Sequence, residues 1–280
     1  MPKLKRPPIS LESDAAVDEL YRYYETRPTK RWVTKGLGHP FGALAYRTQT
    51  VFEADAEKVI SEHLAQQGQV LLALEHVKKS DPFVIAGQAL RRKSLRPLVG
   101  NTNITAKAEL YLLPAIVPWF LDRADAQPAF QAHKDNSIFA PNATETEIKS
   151  RIRHAGDWVV KNSIQILDSG GNVANFTRPG RRNKEDTGPI TPDKLRMGVG
   201  RIACGVADRS KLLVVPAAVD YGRGLLRPSL AICDPFEVTE TDIPQSVLAS
   251  AAEGIQNARE MAADLSSQRP QIFYSARDYA

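Results

Sequence analysis

Four residues separate His76 from Asp81 in the stretch Glu75-His76-Val77-Lys78-Lys79-Ser80-Asp81-Pro82-Phe83. An imidazole titrates near neutral pH, so it can take a proton from a hydroxyl. A carboxylate beside it holds the ring in one tautomer and steadies its charge. Such a pair needs no Ser or Cys nucleophile when the substrate brings its own hydroxyl. Of the five histidines, His39, His63, His76, His133 and His154, only His76 has an aspartate at this offset. The purely structural alternative makes His76 a loop residue and Asp81 the N-cap of a helix with Pro82 at its first position.

A second set of chemically capable residues lies in Asn175-Phe176-Thr177-Arg178-Pro179-Gly180-Arg181-Arg182-Asn183-Lys184. Guanidinium groups grip phosphate oxygens in a fork, and Gly180 lets the backbone approach a bound group closely. The pattern fits a phosphate clamp built from Arg178, Gly180, Arg181 and Arg182. The same residues also fit an exposed basic turn.

Both stretches follow strand-like runs. Gln69 to Glu75 (QVLLALE) leads into the histidine, and Phe83 to Leu90 (FVIAGQAL) reads as the helix after it. The end of a strand next to a helix start is where α/β proteins place their sites. Before this unit, residues 1 to 9 read as a loose arm, Leu11 to Glu25 as a helix, and 28 to 49 as irregular. Thr50-Val51-Phe52-Glu53 has the form of a capping box and predicts a helix from about Glu53 to Gln67, stopped at Gly68. After it, Asn101 to Lys107 predicts a strand and Ala108 to Leu113 a short helix. Residues 124 to 143 lack periodicity and read as loop. Thr144 to Leu167 predicts a long helix ended by Gly170-Gly171, and Asn172 to Phe176 a strand. Pro192 to Ala207 is mainly helical in pattern, Lys211 to Asp220 and Ser229 to Cys233 are strands, and Pro244 to Ser266 is a final helix. Strands alternating with helices predict an α/β fold: a central mixed β-sheet flanked by helices, with an N-terminal helical addition. The division expected is 1–50 for the arm and helical segment and 51–280 for the α/β domain.

The chain has 280 residues, 42% of them hydrophobic and 25% charged, which is an ordinary globular composition and not that of a disordered or fibrous chain. Its net charge of +5 suits anionic partners. Two cysteines, Cys204 and Cys233, make no disulfide framework, and their apolar surroundings predict buried, inert thiols. No signal peptide is visible. The longest apolar run, Leu110 to Leu121, is broken by Pro114 and Pro118 and is too short to span a bilayer. It reads as core, or as an interfacial or acyl-chain surface through Tyr111 and Trp119. The histidines and cysteines lack metal-ligand spacing, and no G-x-S-x-G elbow occurs. Gly198-Val199-Gly200-Arg201-Ile202-Ala203 fits G-x-G-x-x-A but lies within a helical pattern, not after a strand.

Taken in order, His76 with Asp81, Ala106-Lys107-Ala108-Glu109-Leu110-Tyr111 followed by Pro114, Phe120-Leu121-Asp122-Arg123, Phe176 to Asn183, and Val214-Val215-Pro216 resemble the glycerolipid acyltransferase superfamily. This superfamily includes the glycerol-3-phosphate and lysophosphatidate acyltransferases. The likeness runs from about Gln69 to Val219. Members commonly carry Phe-Pro-Glu-Gly-Thr-Arg in the third block. This chain has no glutamate there and looks closer to the soluble plastid-type glycerol-3-phosphate acyltransferases, whose block reads Ser-Gly-Gly-Arg-Asp-Arg. Arg181 matches that block's first arginine, while Arg182 and Asn183 stand in place of the aspartate and second arginine.

The resemblance implies an O-acyltransferase of phospholipid biosynthesis. It would move a fatty acyl group from acyl-CoA or acyl-carrier protein, as co-substrate, to the hydroxyl of glycerol-3-phosphate or a lysophospholipid, with no further cofactor. His76 and Asp81 would be catalytic, and Arg181, with Gly180, Arg178, Arg182 and Lys107, would hold the acceptor. A cytoplasmic location with peripheral membrane contact, and no nucleic-acid partner, goes with that reading. The alternative is a nonenzymatic anionic-lipid or phosphate-binding protein of the same fold.

Overall fold

The computed structural model describes residues 6–26, 36, 39–75, 78, 80–123, 126–131, 136–177 and 188–268. At its centre lies one sheet in the order β1-β7-β6-β2-β5-β3-β4, with β8 pairing beside β6. The strands are β1 (Gln49–Phe52), β2 (Gln69–Leu74), β3 (Thr102–Lys107), β4 (Ala126–Ala129), β5 (Asn172–Phe176), β6 (Leu212–Asp220), β7 (Ser229–Ile232) and β8 (Phe236–Glu237). The run β6-β2-β5-β3-β4 is parallel throughout. β7 is antiparallel to β6, and β1 is parallel to β7. The carboxyl ends of the five parallel strands therefore share one edge with the amino ends of β7 and β1. This is the mixed sheet with flanking helices that the alternating pattern predicts.

The central strands are buried on both faces, and their alternation sorts the core into two layers. Leu71 and Ala73 of β2, with Leu212 and Val214 of β6, face α6 (Glu145–Asp168), α7 (Gly198–Gly205) and α8 (Pro244–Ser267). Val70, Leu72 and Leu74, with Leu213, Val215 and Ala217, face α3 (Ala56–Ala65) and α4 (Asp81–Arg91). Thr144 caps α6, and Glu147 completes a capping box. A third cluster joins α1 (Asp14–Thr26) to α6 through Val17, Leu20, Tyr21, Ile152 and Ala155.

A short helix, α2 (His39–Ala45), lies across α4. A Cβ on Gly42 would stand 2.0 Å from the Phe83 carbonyl oxygen, and one on Gly87 would stand 2.5 Å from the Gly42 carbonyl carbon. Two glycines thus let the helix backbones touch. A further helix, α5 (Ile116–Arg123), lies between β3 and β4.

Four local expectations fail. The stretch 28 to 49, read as irregular, contains helix α2 over His39–Ala45. The capping-box pattern at Thr50 is instead strand β1, and the helix behind it begins only at Ala56. Three β-prone residues (Thr50, Val51, Phe52) beside β7 outweigh a capping signal that has no helix to cap. At that helix's end the left-handed residue is Gln67 (φ 62°), not Gly68. Gly68 is needed for space, because a Cβ there would stand 2.3 Å from the His63 ring. Residues 126–129, read as loop, form edge strand β4, where Pro128 sits without interrupting an interior ladder.

Candidate active site

The candidate site occupies the carboxyl edge of the parallel strands. The ladder runs past β2 itself: the Glu75 amide donates to the Ala217 carbonyl (3.3 Å), and the Thr177 amide to the Leu74 carbonyl (2.9 Å). The Thr177 hydroxyl donates to the same carbonyl at 3.1 Å. The β2–α4 connection, which carries His76, and the segment after Thr177, which carries the arginines, therefore leave the sheet from adjacent strand ends. Neighbouring strands lie about 5 Å apart. The chain also returns close to where it left, because the Arg196 amide donates to the Thr177 carbonyl (2.8 Å).

Asp81 is the first residue of α4 and is fully buried. It does not cap the helix. Ser80 stands at the cap position without a side-chain cap bond, and the Asp81 carboxylate turns back toward the loop. Its Oδ2 accepts from the Lys78 backbone N–H at 2.9 Å, and its Oδ1 accepts from the Tyr221 hydroxyl at 2.6 Å. The Ser80 and Tyr221 hydroxyl oxygens lie 2.7 Å apart. A carboxylate only accepts, so Tyr221 gives its proton to Asp81 and Ser80 must donate to Tyr221. Burial pushes the Tyr221 phenol far above its ordinary pKa, and the Asp81 charge adds to the shift. The phenol consequently stays protonated as a permanent donor. The Lys78 ammonium sits 4.4 Å from the centre of the Tyr221 ring. Tyr221 is thus the post to which the described residues of the β2–α4 loop are tied.

The described amides at the start of α4 are already committed. Asp81 N–H donates to the Lys78 carbonyl, and Phe83 and Val84 N–H both donate to the Ser80 carbonyl. Pro82 has no amide hydrogen. An oxyanion formed here would need another donor.

Of the residues singled out from the sequence, the structure describes Asp81 and Lys107. Lys107 ends β3 on the same edge, with β5 between its strand and β2. His76, Arg178, Gly180, Arg181 and Arg182 lie outside the described residues. Sequence reasoning missed Tyr221, Ser80 and Arg196. Arg196 is partly buried and makes no ion pair with a described acid, and desolvation lowers its pKa. A guanidinium nonetheless keeps its charge, so Arg196 is a cation beside the mouth of the arginine-bearing segment. A tyrosine directly after a buried strand was the available signal for Tyr221. What the sequence withheld is that β6 lies next to β2.

The glycines of the G-x-G-x-x-A match lie inside α7, where Gly200 admits the Pro244 carbonyl; a Cβ there would stand 2.1 Å from it. Gly200 serves helix packing. Cys233 is buried and Cys204 partly so, and desolvation raises both thiols above their ordinary pKa.

No protein-family model matches the chain, and no curated protein matches it. Among solved structures, it is similar to the 1-acyl-sn-glycerophosphate (LPA) acyltransferase PlsC from Thermotoga maritima. Sequence identity is 13% and the TM-score 0.44, over 91% of this chain and 84% of that one.

Proposed function

We propose that the protein is an O-acyltransferase that moves a fatty acyl group from acyl-CoA or acyl-carrier protein to the hydroxyl of glycerol-3-phosphate or a lysophospholipid. The observation that carries this reading is the buried Asp81 carboxylate at the carboxyl end of the central strand. It is fixed by Tyr221 and by the Lys78 amide, in the loop that bears His76. The ordered motifs of the sequence support it, as does the departure of the histidine and arginine segments from adjacent strand ends.

In this reaction the His76 ring takes the proton from the acceptor hydroxyl while Asp81 orients the imidazole. The oxygen bonds to the thioester carbonyl carbon, and collapse of the tetrahedral intermediate breaks the carbon–sulfur bond. The imidazolium returns its proton to the leaving thiolate. Arg181, with Arg178 and Arg182 and with Gly180 allowing close approach, clamps the acceptor phosphate, and Lys107 and Arg196 add positive charge on the same edge. Fixing the phosphate places the hydroxyl, which turns binding into rate.

Transfer assays pairing both donors with glycerol-3-phosphate and with lysophosphatidate test the proposal. One pair should turn over, and His76→Ala should nearly abolish that turnover while leaving the melting temperature unchanged. Turnover by His76→Ala close to the parent rate would end the general-base role. Phosphate-dependent binding with no transfer from any pair would instead establish the nonenzymatic binder.

A further inference from the structure

The carboxyl edge is rimmed by apolar side chains that face solvent. On α2, Phe41 and Leu44 are 54% and 83% exposed, and their three-residue spacing puts them on one side of the helix. In the β6–β7 connection, Leu225 and Leu226 are 50% and 61% exposed. The Leu226 carbonyl accepts from the Arg47 amide (2.8 Å), which fixes this connection beside the end of α2. A row of rings, Tyr46, Phe41, Phe83 and Phe120, with centroids 6.5, 5.4 and 6.2 Å apart in turn, joins α2 to α4 and α5. Further along, Leu112, Leu113 and Trp119 are also exposed. The apolar run from Leu110 to Leu121 is therefore divided: Tyr111 is core, its hydroxyl donating to the Ala126 carbonyl at 2.8 Å, while its neighbours reach the surface.

The same rim is basic. Arg47, Arg91 and Arg227 are exposed, and none forms an ion pair with a described acid. Arg91 donates to the Ala43 carbonyl, which holds its charge against α2. Exposed apolar groups in a contiguous set mark a docking face, and the charge selects what docks. A two-fold pairing with a second copy would set these arginines against their own kind. An anionic lipid surface takes both the arginines and the leucines. Among the described residues no helix is long and apolar enough to cross a membrane, so the contact would lie on the bilayer.

We propose that this edge docks on an anionic lipid bilayer, with Phe41, Leu44, Leu225 and Leu226 entering the headgroup region and Arg47, Arg91 and Arg227 facing the lipid phosphates. The inference does not depend on acyl transfer, because binding is measured without turnover.

The test is co-sedimentation of the full chain with vesicles of phosphatidylcholine alone and of phosphatidylcholine mixed with phosphatidylglycerol. The protein should bind the mixed vesicles and not the neutral ones. Leu44→Asp combined with Leu226→Asp should weaken binding by at least about tenfold. Arg47→Glu combined with Arg227→Glu should weaken it by about tenfold or more. Ile138→Asp changes an equally exposed residue on another element and should leave binding intact. Should the leucine double variant melt early, the milder Leu44→Ser with Leu226→Ser serves in its place. Equal binding to neutral vesicles, no binding to mixed ones, or unchanged binding by both double variants would overturn the proposal. So would a concentration-dependent dimer that the leucine variant abolishes.

Discussion

Asp18 on α1 sits within 2.7 Å of both the Trp158 indole nitrogen and the His154 ring nitrogen of α6. Arg196, Arg47 and Arg227 at the carboxyl edge form no ion pair with a described acid. Along the α1–α6 flank the pairing continues, with Lys161 to Glu25, Lys149 to Glu145 and Arg151 to Glu147 at 3.2, 2.6 and 3.4 Å. One region pairs its charges internally, within α6 and between α1 and α6. The other leaves cations without an ion pair to any described acid, on the edge where Tyr221 and the Lys78 amide hold the Asp81 carboxylate. Internal pairing satisfies a charge and removes it from outside partners, so the unpaired set is where an anionic ligand or surface gains most.

Three substitutions at the edge and two on the flank would sharpen this contrast. The largest effect is expected from Asp81→Asn. Its amide cannot accept on both sides, so the loop donors lose a partner and the imidazole loses its counter-charge. Transfer should fall by about 10²–10⁴-fold, the usual worth of an acid–base apparatus. An intact rate would remove Asp81 from the chemistry. Tyr221→Phe comes next, with a fall of about tenfold in kcat, little change in KM and about 1–3 kcal/mol of stability lost where the buried Asp81 Oδ1 loses the Tyr221 donor. If Tyr221 acts through Asp81, Tyr221→Phe should cost no further rate in the Asp81→Asn background. Additive losses would make Tyr221 a separate structural element. Arg196→Ala should raise the acceptor KM several-fold and leave the donor KM alone. The reverse pattern would move Arg196 to the donor side.

On the flank, Asp18→Asn should leave transfer unchanged and lower the melting temperature near neutral pH. The Asp18 carboxyl is held below its ordinary pKa of 3.8, first by the Trp158 hydrogen bond and then by His154. Stability from a lowered carboxylate pKa is fully present above the unfolded value and disappears as pH falls through the folded one. The gap in melting temperature between parent and variant should accordingly hold steady down to about pH 5 and close below it. A gap that closed toward alkaline pH instead would contradict this account.

The two regions also differ in how well the sequence showed them. Long periodic elements were readable: α6 and α8 each fall within about two residues of the predicted spans, because the Thr144 cap and Pro244 at the first helical position agree with the apolar period. Strands β2, β5 and β6 were readable as apolar runs between turn signals. β1 and β4 were not, being four residues each and lying at the sheet edges. Pairing partners, not local composition, make such short segments strands. Asp81 was legible because its offset from His76 is local. Tyr221 was not, because its tie to Asp81 spans 140 positions and depends on β6 crossing to lie beside β2.

The smallest effect belongs to the outermost charges of the flank. Glu145 and Lys149 stand one helical turn apart at the start of α6, and their side chains are 81% and 63% exposed. The Lys149 hydrogen bond and charge lower the Glu145 pKa, yet water and salt compete with a pair so open. Glu145→Gln should not move the melting temperature measurably, whereas Asp18→Asn, on the same flank but wedged between indole and imidazole, should. If Glu145→Gln destabilised as much as Asp18→Asn, pairing alone would hold the flank, whatever the burial. If neither variant had an effect, the Val17, Leu20, Tyr21 and Ile152 packing would hold it without the charges.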